Sequence, residues 1–421
     1  MKDLKKTLYL GLGLGVKLIA GLFAVKLCAQ LLGPEAFGVT GQLGSLLSVV
    51  SLLAGAGVSV GMTKVYAGAE FPPESRPDWI RAARWIALGS AGLLSVLFLL
   101  ASGWVSEQLF NGNEHSHWLL GGLVLGTLPV AFAGIGQGKI NGSHRDDLYA
   151  LSIALGSALG LLGLWGLGRY LGPTGALLGM IWLVVAQALV MNLFGARIGR
   201  TPASSATAAA TATIPELKSK ARFLLGYGML SIAAGAIIPI VYIFIRLLVQ
   251  EHNGDRIFGL WQASLRISEA YNQLPLMLLS VVLFARFASS AAEPLNLEQV
   301  RKTYLFIAAM MAGIAGFVYL TRPYWIELVF TSDFAPMEAF VPWQLAGDSL
   351  KILSYVGTTI LAARGAVKLC IYGELLQGVL LGASSLLLVP QFPVHGMFYA
   401  YVLSYAIYFA ATATTLLRTK R

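Results

Sequence analysis

Blocks of about twenty or more apolar residues, separated by short polar segments, recur along the whole of this 421-residue chain. Each block is long enough to cross about 30 Å of hydrocarbon as a helix. Inside a bilayer a spanning segment must satisfy its own backbone N–H and C=O groups, which a helix does. Only 12% of the residues are charged, whereas about a quarter are charged in a soluble domain. The pattern therefore predicts an all-α polytopic membrane protein.

The apolar blocks predict about twelve transmembrane helices, at residues 7–32, 38–66, 80–104, 117–138, 146–168, 174–198, 219–249, 256–290, 302–320, 336–364, 367–389 and 393–417. The N-terminus, alternate loops with their flanks and the C-terminus hold 22 of the 30 Lys and Arg residues, the opposite loops hold three, and the spans hold five. By the positive-inside rule, both termini are predicted to be cytoplasmic. The formal net charge of +10 thus reflects topology, and it does not indicate nucleic-acid binding.

A low-complexity segment near the middle of the chain, TPASSATAAATAT at residues 201–213, has the composition of a flexible linker. It predicts an N-terminal six-helix lobe at residues 1–200, a cytoplasmic linker at 201–216 and a C-terminal six-helix lobe at 217–421.

The two halves also resemble each other at a nearly constant offset along the sequence. Lys26 to Gln30 corresponds to Arg246 to Gln250, and Phe37-Gly38 corresponds to Phe258-Gly259. Because each half has an even number of spans, the halves are predicted to be parallel repeats. Two such bundles, facing each other across a central cavity, are typical of an alternating-access transporter.

Charged residues within the predicted spans are the candidate site residues, because a charge at the bilayer centre costs about 2.5–3.5 kcal/mol on insertion scales. The five cations are Lys17, Lys26, Arg246, Arg266 and Lys351. Lys17 lies about 15 Å along its helix. Lys26 and Arg246 lie near the ends of their helices. Each side chain either snorkels to the membrane surface or lines a cavity, and the sequence leaves both alternatives open. The cations outnumber the three carboxylates, and this excess favours an anionic cargo.

The three carboxylates within the spans are Glu269, Asp348 and Glu374. Glu269 lies three residues after Arg266, and Asp348 three residues before Lys351, so each is predicted to form an ion pair. Such a pair either has a purely structural role, in which it holds helices together, or couples transport to an ion. In a coupling pair, the cation turns to an anionic cargo, and the carboxylate takes up H⁺ or Na⁺. Asp348 is the preferred coupling residue, because its pair lies at mid-depth.

Two glutamines, Gln262 and Gln344, each follow a tryptophan near the periplasmic start of a helix. Trp261 and Trp343 are predicted to be interface anchors. The glutamine amides are candidate hydrogen-bond partners for sugar hydroxyls. The chain has no Walker A sequence, dinucleotide-binding fingerprint or nucleophile elbow, so a transporter without a cofactor is predicted, and not an enzyme.

Several segments resemble Wzx-type lipid-linked oligosaccharide flippases, the O-antigen and enterobacterial common antigen translocases. They are Ser51 to Tyr66, Gly259 to Tyr271, Trp343 to Lys351 and Glu374 to Gln377. This family belongs to the multidrug/oligosaccharidyl-lipid/polysaccharide (MOP) exporter superfamily, and the likeness covers nearly the whole chain. Arg266 departs from the family pattern, which has a small polar residue there.

The resemblance implies two six-helix lobes arranged as a V in the bacterial inner membrane. It implies flipping of undecaprenyl-diphosphate-linked oligosaccharides from the cytoplasmic to the periplasmic leaflet. Membrane lipids are further expected partners, and an O-antigen polymerase and a chain-length regulator are candidate protein partners.

Three other functions are alternatives to this one. A MATE-like exporter of small molecules shares the fold but favours an acidic cavity for its cationic cargoes. A major-facilitator carrier requires a basic motif after the second helix, which AGAEFPPESRPDW at residues 67–79 lacks. A membrane glycan polymerase or ligase needs a large periplasmic loop, and the predicted loops on that side are short.

Overall fold

The computed structural model describes residues 2–55, 57–110, 116–198, 213–290 and 294–418, and within these residues the chain forms helices and turns without any strand. The α-helices of this part of the chain are α1 (Lys2–Gly55), α2 (Val58–Ala67), α3 (Arg76–Leu100), α4 (Ser102–Phe110), α5 (Ser116–Gly142), α6 (Asp146–Arg197), α7 (Ile214–Gly235), α8 (Ile237–Met277), α9 (Phe284–Ser289), α10 (Leu297–Val329), α11 (Val341–Ala363), α12 (Val367–Gln391) and α13 (Gly396–Arg418). A π-helical segment, Leu278–Leu283, joins α8 to α9, and a 3₁₀ segment, Ser332–Phe340, precedes α11.

Eight helical stretches of the described residues are long and apolar enough to cross a membrane. They are Gly15–Gly55, Pro73–Leu100, His117–Gly142, Asp146–Arg197, Ile237–Ser289, Leu297–Val329, Lys368–Gln391 and Gly396–Arg418. The three longest are each interrupted by one glycine with non-helical backbone angles, at Gly33, Gly172 and Gly254. Each of these three therefore contains parts of two predicted spans, and α11 supplies a further helix of span length. The prediction of an all-α multi-pass membrane protein is confirmed.

The backbone breaks repeat at the offset seen in the sequence. Gly33 has φ 65° and ψ 174°, and its counterpart in the second half, Gly254, has φ 76° and ψ 169°. Likewise, the turn before α6 has a positive φ at His144, and the turn before α12 has one at the counterpart of that residue, Gly365. Such angles favour glycine, because a Cβ atom makes them costly. The matching breaks support the predicted repeat at the level of backbone conformation.

Two compact units divide the chain differently from the predicted lobes. The first comprises residues 1–31 and 42–239, and the second comprises residues 32–41 and 240–421. Residues 201–212 of the predicted linker lie outside the described residues. The linker's last residues, 214–216, are helical, because the Thr213 backbone N–H donates to the Glu216 carboxylate at 2.8 Å and caps the start of α7.

The first unit includes α7, which the sequence assigned to the C-terminal lobe. Leu224 of α7 is fully buried and packs beside Gly61 of α2, where a Cβ atom would clash with the leucine side chain. Helix α3 presents small buried residues to this core at Ala83, Ala87 and Ala91. Small residues allow close helix packing in lipid, where apolar burial does not drive association. Hence α7 remains with the first unit, and the unit boundary falls within α8.

The second unit is organised around α11. Ile352, Val356 and Ile360 recur every four residues on one face of α11, and each is at most 1% exposed. This face packs in a core with Ile307 and Met311 of α10. The N-terminal half of α11 instead carries buried polar side chains, and the candidate site lies there.

Reporter fusions can test the predicted topology. Fusions within residues 199–215 and after Arg421 are expected to report a cytoplasmic location, and fusions within residues 111–117 a periplasmic one, because Lys and Arg concentrate on one side. The two reporters should give opposite signals at each site, as with alkaline phosphatase and green fluorescent protein. A periplasmic signal from residues 199–215 would contradict the arrangement of two six-span halves.

Candidate functional site

The second unit contains a buried cluster of polar and charged side chains, and much of it comes from α8. After the break at Gly254, this helix carries Gln262, Arg266 and Glu269 at spacings that place them on one face. Ser268 and Asn272 follow on an adjoining face and are 4% and 2% exposed. Because membrane helices seldom bury so many polar groups without function, this face of α8 marks the candidate site.

Asp348 of α11 lies at the centre of the cluster and is fully buried. Its carboxylate accepts hydrogen bonds from Ser268 Oγ at 2.6 Å, Tyr401 Oη at 2.7 Å and Gln344 Nε2 at 3.2 Å. The Tyr271 hydroxyl also donates to it. Donors from α8, α11 and α13 thus satisfy this buried carboxyl group. Asp348 therefore joins these three helices through one side chain.

The predicted ion pair between Asp348 and Lys351 is wrong. Among the described residues, Lys351 forms no ion pair, although it lies close enough to Glu269 and Glu374 to interact with both electrostatically. The reason is that hydroxyl groups from α8 and α13 reach the Asp348 carboxylate, and burying hydroxyls costs less than burying an ammonium ion beside it. Spacing along one helix could not reveal these partners.

The predicted pair of Arg266 and Glu269 is present, with Arg266 Nη1 2.8 Å from Glu269 Oε2. Arg266 Nη2 also donates to the Thr40 carbonyl oxygen at 3.3 Å. The Arg266 side chain is 22% exposed and that of Glu269 is 56% exposed. This ion pair consequently lies at the surface of the unit, whereas Asp348 is sealed within it.

Arg246 is only 5% exposed, so it does not snorkel to an aqueous surface. Its Nε donates to Gln262 Oε1 at 3.1 Å, and its guanidinium carbon lies 5.3 Å from the ring centroid of Tyr242. Arg246 and Arg266 both interact electrostatically with Glu269. Three cations, these two arginines and Lys351, thus surround one accessible carboxylate.

The structure does not bring every predicted site residue into this cluster. Lys17 and Lys26 belong to the first unit, where the Lys17 side chain is exposed and Lys26 is half-buried. Glu374 of α12 is half-buried and interacts electrostatically with Lys351. The roles predicted for these three residues stay predictions.

Sequence reasoning missed Tyr242, Ser268 and Tyr401. One available signal was the row of tyrosines in α13, Tyr401, Tyr405 and Tyr408, which occupy one helical face and are all at most 6% exposed. A row of hydroxyl-bearing side chains within a membrane helix predicts polar partners on the neighbouring helices.

Comparisons with known proteins agree with this architecture. No protein-family model matches the chain. The chain is 28% identical over 410 residues to the lipid III flippase of Escherichia coli (strain K12), and the match covers 96% of each protein. The lipid III flippase of Shigella flexneri matches to the same extent.

Two solved structures show the fold. A multidrug resistance MATE family transporter of the MOP superfamily, in an inward-facing conformation, superposes with a TM-score of 0.73 at 15% identity, over 98% of this chain and 99% of that one. The lipid II flippase MurJ, in an inward closed conformation, gives 0.70 at 13% identity, over 97% of this chain and 87% of that one. The predicted MATE-like fold is confirmed, and the similar proteins are named as flippases and transporters, consistent with a transporter.

Proposed function

We propose that this protein flips undecaprenyl-diphosphate-linked oligosaccharide repeat units, of the O-antigen or enterobacterial common antigen type, from the cytoplasmic to the periplasmic leaflet of the bacterial inner membrane. The observation that carries this proposal is the similarity to lipid III flippases along almost the whole chain. A polymerase and a chain-length regulator would act on the product in the periplasm.

The charges of the second unit support an anionic cargo. Arg246, Arg266 and Lys351 lie within electrostatic reach of Glu269. Guanidinium groups bind phosphate oxygens through paired hydrogen bonds, so the accessible Arg266 is the proposed first contact for the diphosphate. Lys17, deep in its helix and exposed, is a second proposed contact. Lys26 and Lys351 would add to the positive potential.

The side-chain amides of Gln262 and Gln344, which were predicted to bind sugar hydroxyls, already form hydrogen bonds within the second unit. The Gln262 carbonyl oxygen accepts from Arg246, and the Gln344 amide nitrogen donates to Asp348. Both glutamines are at most 3% exposed. We therefore assign them a positioning role, in which they fix a buried cation and a buried carboxylate, and direct sugar binding would require those bonds to break.

We propose that Glu269 couples transport to an ion. If Arg266 turns towards a diphosphate, Glu269 loses its ion-pair partner and can take up H⁺ or Na⁺. Glu269 is more suitable than Asp348, because exchange with solution requires access, and Glu374 is the next candidate. Transport would then draw on an ion gradient without ATP.

Deleting the gene in its own bacterium tests the proposed function. We expect the mutant to lose a surface glycan and to accumulate undecaprenyl-diphosphate-linked repeat units, since cargo that is not flipped cannot be polymerised outside. A plasmid copy should restore the glycan. A mutant with normal glycan but greater sensitivity to small toxic compounds would instead indicate the MATE-like exporter function.

The same strain allows the cation hypothesis to be tested. We expect a Lys17→Ala, Arg266→Ala double variant to reach normal levels in the membrane and to restore less than about a tenth of the surface glycan, because two phosphate contacts are lost. The control is Arg256→Ala, which removes an exposed cation of the second unit outside the cluster. Normal glycan export by the double variant would reject these two residues as cargo contacts.

A further inference from the structure

A cavity of about 450 Å³ lies within the first unit, between α3, α5 and the second half of α6. Much of its wall is apolar, with Ile80 from α3, Leu128 and Phe132 from α5, and Leu189 from α6. Helices α5 and α6 approach closely at its base, because a Cβ atom on Gly136 would lie 2.6 Å from the Met191 carbonyl oxygen. The glycine thus permits close packing of α5 against α6 beside the cavity.

Two cations, Arg84 and Lys139, line the same cavity. They interact electrostatically with each other, and therefore repulsively. Arg84 is exposed, but Lys139 is only 9% exposed. Within the part of the chain that the structure describes, neither side chain has an ion pair or a hydrogen bond. A lysine that is nine-tenths enclosed by protein beside a second cation is unfavourable unless an anion compensates the two charges.

The positive-inside rule alone does not explain this arrangement. That rule places cations at the cytoplasmic end of a helix, where a lysine extends its ammonium group into water. The Lys139 side chain is instead largely enclosed by protein, with 9% of the residue exposed. The repeat provides a second comparison, since the counterparts of Arg84 and Lys139 in the second half are Leu305 and Ile360, so the fold accepts apolar side chains at both positions. The cation pair is therefore a feature of this cavity and not a requirement of the fold.

We propose that this cavity binds an anionic glycerophospholipid of the cytoplasmic leaflet. Its phosphate lies between Arg84 and Lys139, and its acyl chain lies along Leu128, Phe132 and Leu189. Basic pockets between transmembrane helices on the cytoplasmic side suit such headgroups. Among the described residues, Asn192 is the one further polar side chain lining the cavity, and its amide nitrogen already donates to the Pro129 carbonyl oxygen at 2.9 Å. The cavity thus suits a compact phosphodiester better than a glycan.

Native mass spectrometry of the full-length protein in detergent tests this proposal, with phosphatidylglycerol and phosphatidylcholine of identical acyl chains as probes. We expect one phosphatidylglycerol to bind more tightly than phosphatidylcholine. Arg84→Gln should weaken phosphatidylglycerol binding about fivefold, and Arg84→Gln with Lys139→Gln about thirtyfold, from the usual contribution of one cation near an anionic headgroup. Phosphatidylcholine binding should not change.

The control double variant is Arg81→Gln with Arg222→Gln, which removes the same charge from exposed cations of the same unit that do not line the cavity. It should bind phosphatidylglycerol like wild type. Thermal unfolding is a second measurement: phosphatidylglycerol should raise the Tm of wild type but not of the cavity variant, whose Tm without lipid should be at least that of wild type, because the repulsion is gone.

Equal binding of the two lipids by wild type, or unchanged phosphatidylglycerol binding by the cavity variant, would overturn the proposal. Tighter binding of undecaprenyl diphosphate, with displacement of phosphatidylglycerol from wild type, would assign the cavity to the carrier lipid and also overturn it. None of these measurements depends on flipping, so failure of the proposed function leaves the result intact.

Discussion

The Asp348→Ala variant should fail to accumulate in the membrane, whereas Asp348→Asn should accumulate close to the wild-type level. Alanine removes the acceptor of three buried donors, on Ser268, Gln344 and Tyr401, and of the half-buried Tyr271 hydroxyl. Each unsatisfied buried group costs about 1–3 kcal/mol, so the loss is about 3 kcal/mol or more. That is a large part of a typical stability of about 5–15 kcal/mol.

Asparagine keeps one carbonyl oxygen, and its amide can donate to hydroxyl groups that rotate to accept. The effect is measured by immunoblotting of membranes and by the unfolding temperature in detergent. Tyr401→Phe removes a single donor and should lower stability only slightly. As a control, Asp333→Ala changes an exposed aspartate of the same unit and should behave like wild type. A stable Asp348→Ala variant would show that this carboxylate does not hold the three helices together.

Helix positions were predictable from the sequence because a bilayer imposes a simple rule on length and polarity. The breaks at Gly33 and Gly254 were less visible, since hydropathy does not report φ, although the offset between the two halves already related these positions. The grouping of α7 with the first unit was not predictable. It depends on contacts such as that of Leu224 with Gly61, which join distant parts of the chain.

The candidate site was predictable only where both partners lie on one helix. Arg266 and Glu269 are three residues apart, so helical geometry alone brings them together. Asp348 has the same spacing to Lys351, but its partners Ser268 and Tyr401 come from other helices. Spacing along one helix does not show whether a carboxylate will pair with a cation on its own helix or accept a hydrogen bond from a hydroxyl on a neighbouring helix. The free-energy cost of burying each group decides which partner is found.

The accessibility of the carboxylates determines which of them can respond to an ion gradient. Asp348 is fully buried, and its hydrogen-bond partners among the described residues are hydroxyl and amide groups and not a cation. Glu269 is 56% exposed, and its partner Arg266 is a proposed contact for the diphosphate. Cargo binding to Arg266 would therefore favour ion uptake by Glu269, because each event breaks the same ion pair. The alternative is that the ion pair of Arg266 and Glu269 only holds α8 in place.

In proteoliposomes loaded with a lipid-linked oligosaccharide, Glu269→Gln should still bind cargo and flip it slowly, but an imposed pH or sodium gradient should no longer change the rate. Glutamine keeps the shape and cannot change its charge, so Arg266 is freed permanently and cargo release is no longer linked to ion entry. Flipping is measured by the accessibility of the oligosaccharide to an external glycosidase. Glu298→Gln is the matched control, because Glu298 also forms an intrahelical ion pair, with Lys302 at 2.7 Å, but lies outside the cluster. Asp348→Asn should respond to the gradients like wild type. If Glu269→Gln responds like wild type and Glu374→Gln does not, coupling resides at Glu374, and the pair of Arg266 with Glu269 serves only to hold α8 in place.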